Sequence, residues 1–388
     1  MITKSTHRVF LGVFFLVSGF SFATWASRIP TIKQYFNFND AEIGTILLAM
    51  PISSLIGLPL SGWLVSQFDS RSPLAVALSM NALSLVMIGF AKNLYLLIVG
   101  ISLFSFSLRI FNISVNTQSI TLQKFFDKKI IGFFHGLWST GGILGVAFTT
   151  FLLNFKVSIQ LHFLIVGALN LVVTAIAFPF LLKNDRSENG NKLIISKPDP
   201  YITYLGLIVL CGAICEGGMF DWSGIYFHDV IKVKVFTYGY LIFMSCMACS
   251  RFVSDWVISQ IGMTRNYILS SLLIIMGISL AVIFPNFWIA LIGFSLVGWG
   301  TASVFPMTFA LAGKSSKYSP GMAISIVSTY STVGMLCGPP LIGYLSQAFH
   351  LRWAFITFGL SGFLLIPLSR FFFKHMENLK VPDKSPKI

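Results

Sequence analysis

The chain has 388 residues, of which 55% are apolar and only 10% charged, and Phe alone occurs 39 times. A water-soluble domain carries about a quarter of its residues as charged side chains, so this composition excludes one. Apolar runs of about 20 residues recur along the whole length, each enough for a helix to cross roughly 30 Å of hydrocarbon, and the net charge of +14 therefore reads as membrane topology and contact with anionic lipid, not as nucleic-acid binding.

Twelve helical spans are predicted, at 9–28, 42–66, 73–91, 94–121, 130–154, 158–182, 201–227, 236–261, 266–285, 287–312, 320–347 and 351–373. The first follows "MITKSTHR" and runs into "WASRIP" with no small-residue cleavage site, so it reads as a retained helix and not a signal peptide. Even spans with a cytoplasmic start put both termini inside. Of the 27 Lys and Arg, only Arg28, Lys33, Lys92, Lys156, Lys232, Lys234 and Arg352 fall on the outer side, and Arg109 and Arg251 lie within spans. The rest gather in the N-terminus, the even-numbered connections and the tail, as the positive-inside rule requires.

In chain order, the first span ends in Trp25 and Arg28, and the second closes with "SGWLVSQFDSRS" at 61–72. Arg109 stands fifteen residues into the fourth span, at mid-depth, followed by Asn112, Asn116 and Gln118 on a polar stripe. A charge near the bilayer centre costs roughly 2.5–3.5 kcal/mol even on the lenient insertion scale, so it marks function or a dedicated partner. For Arg109 that partner is an acid, a backbone carbonyl, water or an anionic substrate. Asn112 and Asn116, one turn apart, suit either substrate hydroxyls or interhelical hydrogen bonds. His135 opens the fifth span, where a lone histidine is more often a packing hydrogen-bonder than a proton relay.

The polar stretch "KNDRSENGNKLIISKPDP" at 183–200 reads as a cytoplasmic linker. It divides the chain into an N-terminal six-span bundle, 1–182, and a C-terminal bundle with its tail, 201–388. The seventh span carries Glu216 at mid-depth and Asp221 nearer its outer end, and the eighth carries Arg251 and, near its cytoplasmic end, Asp255. Arg251 and Asp255 are four apart on one helical face, which suits an inner latch, with ordinary interface charges as the plainer alternative. Arg28 and Asp221 end corresponding spans of the two halves and are expected to form an outer gate. Aromatic candidates for a sugar face are Trp299, placed deep in the tenth span, and Tyr330 in the eleventh, with Trp138 and Tyr226 also available. Trp25 and Trp222 stand near outer ends, where interfacial anchoring competes with a cavity role. All five cysteines are intramembrane; Cys246-x-x-Cys249 lacks a second ligand pair, so small-residue packing explains it better than a metal. No phosphate loop, zinc site or nucleophilic triad is present, so neither an enzyme nor a cofactor is expected.

Several phrases occur twice. "SGWLVSQFDSRS" returns as "SDWVISQIGMTRN" with Trp63 matching Trp256; "GISLFSFS" from Gly100 matches "GFSLVGWG" from Gly293; "STGGIL" at 139–144 matches "STVGML" at 331–336; and Trp25 matches Trp222. Offsets of 192 to 197 in the same order point to duplication, and parallel six-helix halves about an axis normal to the membrane are a transporter architecture. Together with "FATWASRIP", "FHGLWSTGGILG", "EGGMFDWSGIYF", "RFVSDWVISQIG" and "GPPLIG", the chain resembles a major facilitator superfamily transporter of the YbjJ-like, MosC-type branch.

That resemblance implies an all-α polytopic fold of two pseudo-symmetric six-helix bundles, with spans one, four, seven and ten lining a central cavity, and solute transport by alternating access without hydrolysis. It also implies a small-molecule substrate, sugar- or cyclitol-like, a proton as coupling ion, a monomer surrounded by lipid and a place in the inner membrane. Two departures stand out: the loop after the second span keeps Gly62, Leu64 and Arg71 but holds Ser66 in the acidic slot, and Asn112 stands where the branch has an acid. The fifth span lacks the proline of drug–proton antiporters, whereas Gly338, Pro339, Pro340 and Gly343 lie in the eleventh. An efflux transporter for an amphipathic drug or siderophore and a receptor-like protein that does not transport are the alternatives. Glu216 is expected to couple protons, with Arg109 as its switchable partner and Asp221 as the next candidate.

Overall fold

The computed structural model describes residues 3–127, 130–183, 199–318 and 320–380, and every regular element among them is helical. The first span is α1 (Lys4–Ser27) and α2 (Ile29–Tyr35), jointed at Arg28, and the second is α3 (Asp40–Leu47) and α4 (Ala49–Gln67), jointed at Leu48. Spans three to seven are α5 (Arg71–Gly89), α6 (Leu94–Gln123), α7 (Ile131–Asn154), α8 (Ile159–Ala177) and α9 (Pro200–Asp229). Spans eight and nine run together as α10 (Tyr238–Ile283), the tenth is α11 (Phe287–Thr301) with α12 (Val304–Ala312), the eleventh occupies α13 (Pro320–Ala354) and the twelfth is α14 (Ile356–Lys380). Ten helices among the described residues are long and apolar enough to cross a bilayer.

Two of the long helices are broken by a single residue. Gly262 has φ 79° and ψ 163°, a backbone that only glycine adopts without strain, and it separates the eighth span from the ninth. His350, at φ 66° and ψ 147°, makes the corresponding break between the eleventh and twelfth.

Polar residues start most of the helices, because the first N–H groups of a helix have no partner inside it. The side chain of Asn93 accepts from the Leu96 N–H, that of Asn286 from Ile289, that of Ser158 from Leu161 and that of Asp199 from Ile202. Asn39 and Glu42 form a reciprocal capping box on α3. Asn93 and Asn286 stand 193 apart, so the duplication also preserves the caps of the fourth and tenth spans.

The chain forms two compact units, Met1–Ile194 with Lys232–Met244, and Ile195–Ile231 with Ser245–Ile388. Within the first, α1 packs along α7, α5 lies between α6 and α8, and α4 lies on α6. Within the second, α9 packs chiefly along α13 and α14. Glycines within the repeated phrases sit at the closest approaches, where hydrocarbon supplies no hydrophobic drive and contact depends on small residues. A Cβ on Gly141 would come within 1.9 Å of the Leu16 carbonyl oxygen, and one on Gly334 within 2.6 Å of the Leu210 carbonyl oxygen, so first and fifth, seventh and eleventh spans touch backbone to backbone. Gly293 makes the same kind of contact with Gly277 between spans nine and ten. The repeated tryptophans have a different role: Trp63 and Trp256 are 53% and 65% exposed at equivalent helix ends, as interfacial aromatic residues are.

Candidate functional site

In the second unit, Glu216 lies midway along α9 and is 7% exposed. Its Oε1 accepts from Nη2 of Arg251 on α10 at 3.3 Å, and the same nitrogen lies 3.7 Å from the Met247 sulfur one turn earlier. Oε2 is buried and has no hydrogen-bond partner among the described residues. Arg251, with 32% of its side chain exposed, is the more accessible member of the pair. Local sequence explains the placement, since Gly217 and Gly218 follow Glu216 and a Cβ on Gly218 would fall 2.2 Å from the Phe358 ring. The two glycines draw α9 against α13 and α14, where Gly217 faces Met335. The carboxylate and guanidinium therefore make one charge-assisted contact between two helices at mid-depth, the kind of pair a proton can open.

Arg251 was expected beside Asp255, whose side chain lies outside the described residues, and the structure brings it to Glu216. A signal for this was available in sequence: Glu216 and Arg251 are opposite charges at mid-span on consecutive helices of one half. Asp221 lies five residues beyond Glu216 on α9 and is half-buried.

In the first unit, Nε of Arg109 on α6 donates to Oγ of Ser54 on α4 at 2.8 Å. One turn earlier, Oγ of Ser105 donates to the Met50 carbonyl at 2.5 Å, so the two contacts step together along helices that run the same way. Gly57 leaves the room, because its Cβ position is 3.4 Å from Arg109 Cβ. Arg109 is half-buried. Asn112 is exposed, and its carbonyl accepts from Nδ2 of Asn116 at 2.7 Å. Gln118 faces away from this stripe: its Nε2 donates to the Leu182 carbonyl and its Oε1 accepts the Leu182 N–H, both at 3.0 Å, which fixes the end of the sixth span.

Arg28 is 2% exposed. Its Nε donates to Nδ1 of His162 and its Nη2 to the Val157 carbonyl, both at 3.0 Å. Because Nδ1 of His162 accepts, the ring proton of a neutral imidazole sits on Nε2. Sequence reasoning did not single out His162, and no motif marks it. Trp25 and Trp222 are fully buried, which removes the interfacial reading for both. Tyr226 is buried among Phe294 and Phe355, with its hydroxyl on the Ala281 carbonyl at 2.7 Å. Trp299 is 39% exposed, and its carbonyl accepts from Ser250 Oγ at 3.1 Å. Tyr330 packs its ring on Gly206, 2.6 Å from that residue's Cβ position. Among the described residues no cluster of His, Cys, Asp and Glu could hold a metal.

Ten helices long and apolar enough to cross a membrane among the described residues, with charged side chains set along them, define a polytopic membrane protein. The chain matches the Major Facilitator Superfamily over residues 9–284 and 261–387, and it belongs to that family. It is 29% identical to "Membrane protein MosC" of Rhizobium meliloti over 95% of this chain and 90% of that protein. It is 27% identical to "Uncharacterized transporter y4wD" of Sinorhizobium fredii, over 92% and 95% of the two chains. Among solved structures, the nucleoside transporter NupG superposes with a TM-score of 0.75 at 14% identity, covering 95% of this chain and 99% of that one. A bacterial homolog of the human lysosomal transporter Spinster, in an inward-facing conformation, gives 0.72 at 14% identity, with 96% and 98% covered. The protein is a major facilitator transporter with the two-bundle fold expected from its duplicated sequence.

Proposed function

We propose that the protein is a secondary active transporter that carries a small polar organic solute across the inner membrane by alternating access, driven by protons. Glu216 is the proton-binding group and Arg251 its switchable partner. The observation that carries this reading is the buried Glu216–Arg251 pair, in which one carboxylate oxygen is bonded and the other has no hydrogen-bond partner among the described residues. A proton arriving at Oε2 neutralises the acid, weakens its hold on Nη2 and leaves Arg251 to find another partner. Loss of that proton restores the pair. The exchange needs no covalent chemistry, only water reaching Oε2 in one state of the cycle.

The earlier expectation gave Arg109 this switching role. Arg251 replaces it here because it already holds the carboxylate, whereas Arg109 is bonded to Ser54 within its own unit. Arg28, bonded to His162 and Val157, is reassigned from the outer gate to the packing of the first unit, where it ties the first span to the start of the sixth. Polar and aromatic side chains on spans four, ten and eleven, namely Asn112, Asn116, Trp299 and Tyr330, remain the candidate solute contacts. The fold likeness to a protein described as a nucleoside transporter is compatible with a polar, ring-bearing solute.

The test is accumulation in proteoliposomes under an imposed pH gradient. Glu216→Gln keeps the shape and hydrogen-bonding capacity of the acid without its titration, so it should abolish gradient-driven accumulation while solute exchange at equal concentrations continues. Accumulation by the Gln variant under a proton gradient alone would remove Glu216 from the coupling role.

A further inference from the structure

Arg109 poses a charge problem that the proton-coupling reading does not resolve. It stands fifteen residues into the thirty-residue α6, about 22 Å along the helix axis at 1.5 Å per residue. Its partner is neutral, the Ser54 hydroxyl at 2.8 Å, and no acid of the first unit pairs with it among the described residues. Glu216 and Arg251 answer each other in the second unit, so within the first unit Arg109 is a mid-depth cation with a neutral partner and no paired acid among the described residues.

A guanidinium has five N–H donors in a planar fork that matches an oxyanion in two parallel bonds. The Ser54 contact uses only Nε, on one edge. It holds the plane still, while the Nη groups are not among the buried polar atoms that lack a partner. The Ser105–Met50 contact one turn away holds α6 to α4 at the same register, so the fork is positioned by two interhelical bonds. Asn112 follows three residues later, exposed, with its side-chain amide not engaged by Asn116, which bonds its backbone carbonyl instead. A fixed cation with an amide one turn along presents donors for a negative group and a donor–acceptor pair for a hydroxyl.

We infer that the transported solute is a small hydroxylated organic anion whose carboxylate, or equivalent singly charged oxyanion, is received by Arg109, with Ser54 as the residue that positions the guanidinium and Asn112 beside it for a hydroxyl. This rests on the transporter reading above and narrows its solute class from polar to anionic. Arg109 is then a specificity-determining residue: a neutral polyol would leave its charge unmatched at mid-depth, whereas an anion matches it.

Thermal unfolding of the purified full-length protein, with matched solute pairs differing only in a carboxylate, tests this without requiring transport. Suitable probes are glycerate against glycerol, gluconate against sorbitol and glucuronate against glucose. At least one acid should raise Tm at millimolar concentration while its neutral partner does not. Arg109→Gln should abolish that shift, Arg109→Lys should retain it with at least tenfold weaker apparent affinity, and Ser54→Ala should weaken it several-fold with the anion preference intact. Glu216→Gln should keep the shift, so failure of proton coupling and failure of the anion site are separable. The inference is overturned if no acid stabilises more than its neutral partner, or if the acid-specific shift survives in Arg109→Gln.

Discussion

Glu216 and Arg251 face each other as opposite charges between two spans, and the cost of removing one of them can be measured. Removing the arginine alone leaves a carboxylate at 7% exposure without its cation. Leaving a buried charged group unsatisfied costs about 1–3 kcal/mol or more, so Arg251→Gln should lower Tm clearly. The double variant Glu216→Gln, Arg251→Gln leaves two neutral amides and should recover much of that loss. A double-variant loss equal to the sum of the Arg251→Gln and Glu216→Gln losses would mean that the pair is not energetically coupled. The charged positions were legible in the sequence, because an ionisable side chain in a hydrophobic span is conspicuous whatever it does. Their partners were not. Within each unit the bonds run from Arg251 to Glu216 and from Arg28 to His162 and Val157, whereas the expected Glu216–Arg109 and Arg28–Asp221 contacts are ones that would join the two bundles. Which partner a long side chain reaches depends on helix rotation within a bundle, and hydropathy does not report rotation.

At the level of the helices, the repeated phrases divide cleanly by role. Gly141 and Gly334 set the backbone contacts of spans one with five and seven with eleven, Asn93 and Asn286 cap spans four and ten, and Trp63 and Trp256 mark equivalent ends. These residues build the fold twice, which is why the architecture could be read from sequence. The candidate functional residues are not repeated: Glu216 corresponds to Gly19 at the offset of Trp25 and Trp222, Arg251 to Leu58 and Arg109 to Ala302 at the offset of 193. The candidate functional residues occupy positions where the halves differ. Gly141→Ala would press a methyl against the Leu16 carbonyl and should cost about 1–3 kcal/mol, whereas Gly132→Ala, with open space at its Cβ position, should leave Tm unchanged. Gly262→Ala also has open space but demands φ 79° and ψ 163° of an alanine, a penalty of roughly 1–3 kcal/mol. If Gly262→Ala proved as silent as Gly132→Ala, the turn between spans eight and nine would not depend on that backbone.

Across the whole molecule, the intramembrane charges predict how transport is driven. In the proposed cycle the empty protein holds Arg109 with no paired acid in its own unit among the described residues, and holds the Glu216–Arg251 pair closed. Loading one anion and one proton leaves the total unchanged, because the proton cancels Glu216 as the anion cancels Arg109. A one-to-one cycle therefore moves no net charge: a pH gradient should drive accumulation, and a potassium diffusion potential alone should not. Accumulation driven by the potential alone would favour a neutral solute, counting against the anion site while leaving Glu216 in its role.

The central claim is that Glu216 carries the proton that moves with the solute. The most direct measurement follows lumenal pH with a trapped dye in proteoliposomes while the acid that stabilises the purified protein flows down its own gradient. Wild-type protein should shift lumenal pH in step with solute flux, and Glu216→Gln should exchange solute with no accompanying pH change. A pH change that persists in the Gln variant in proportion to its solute flux would contradict the account.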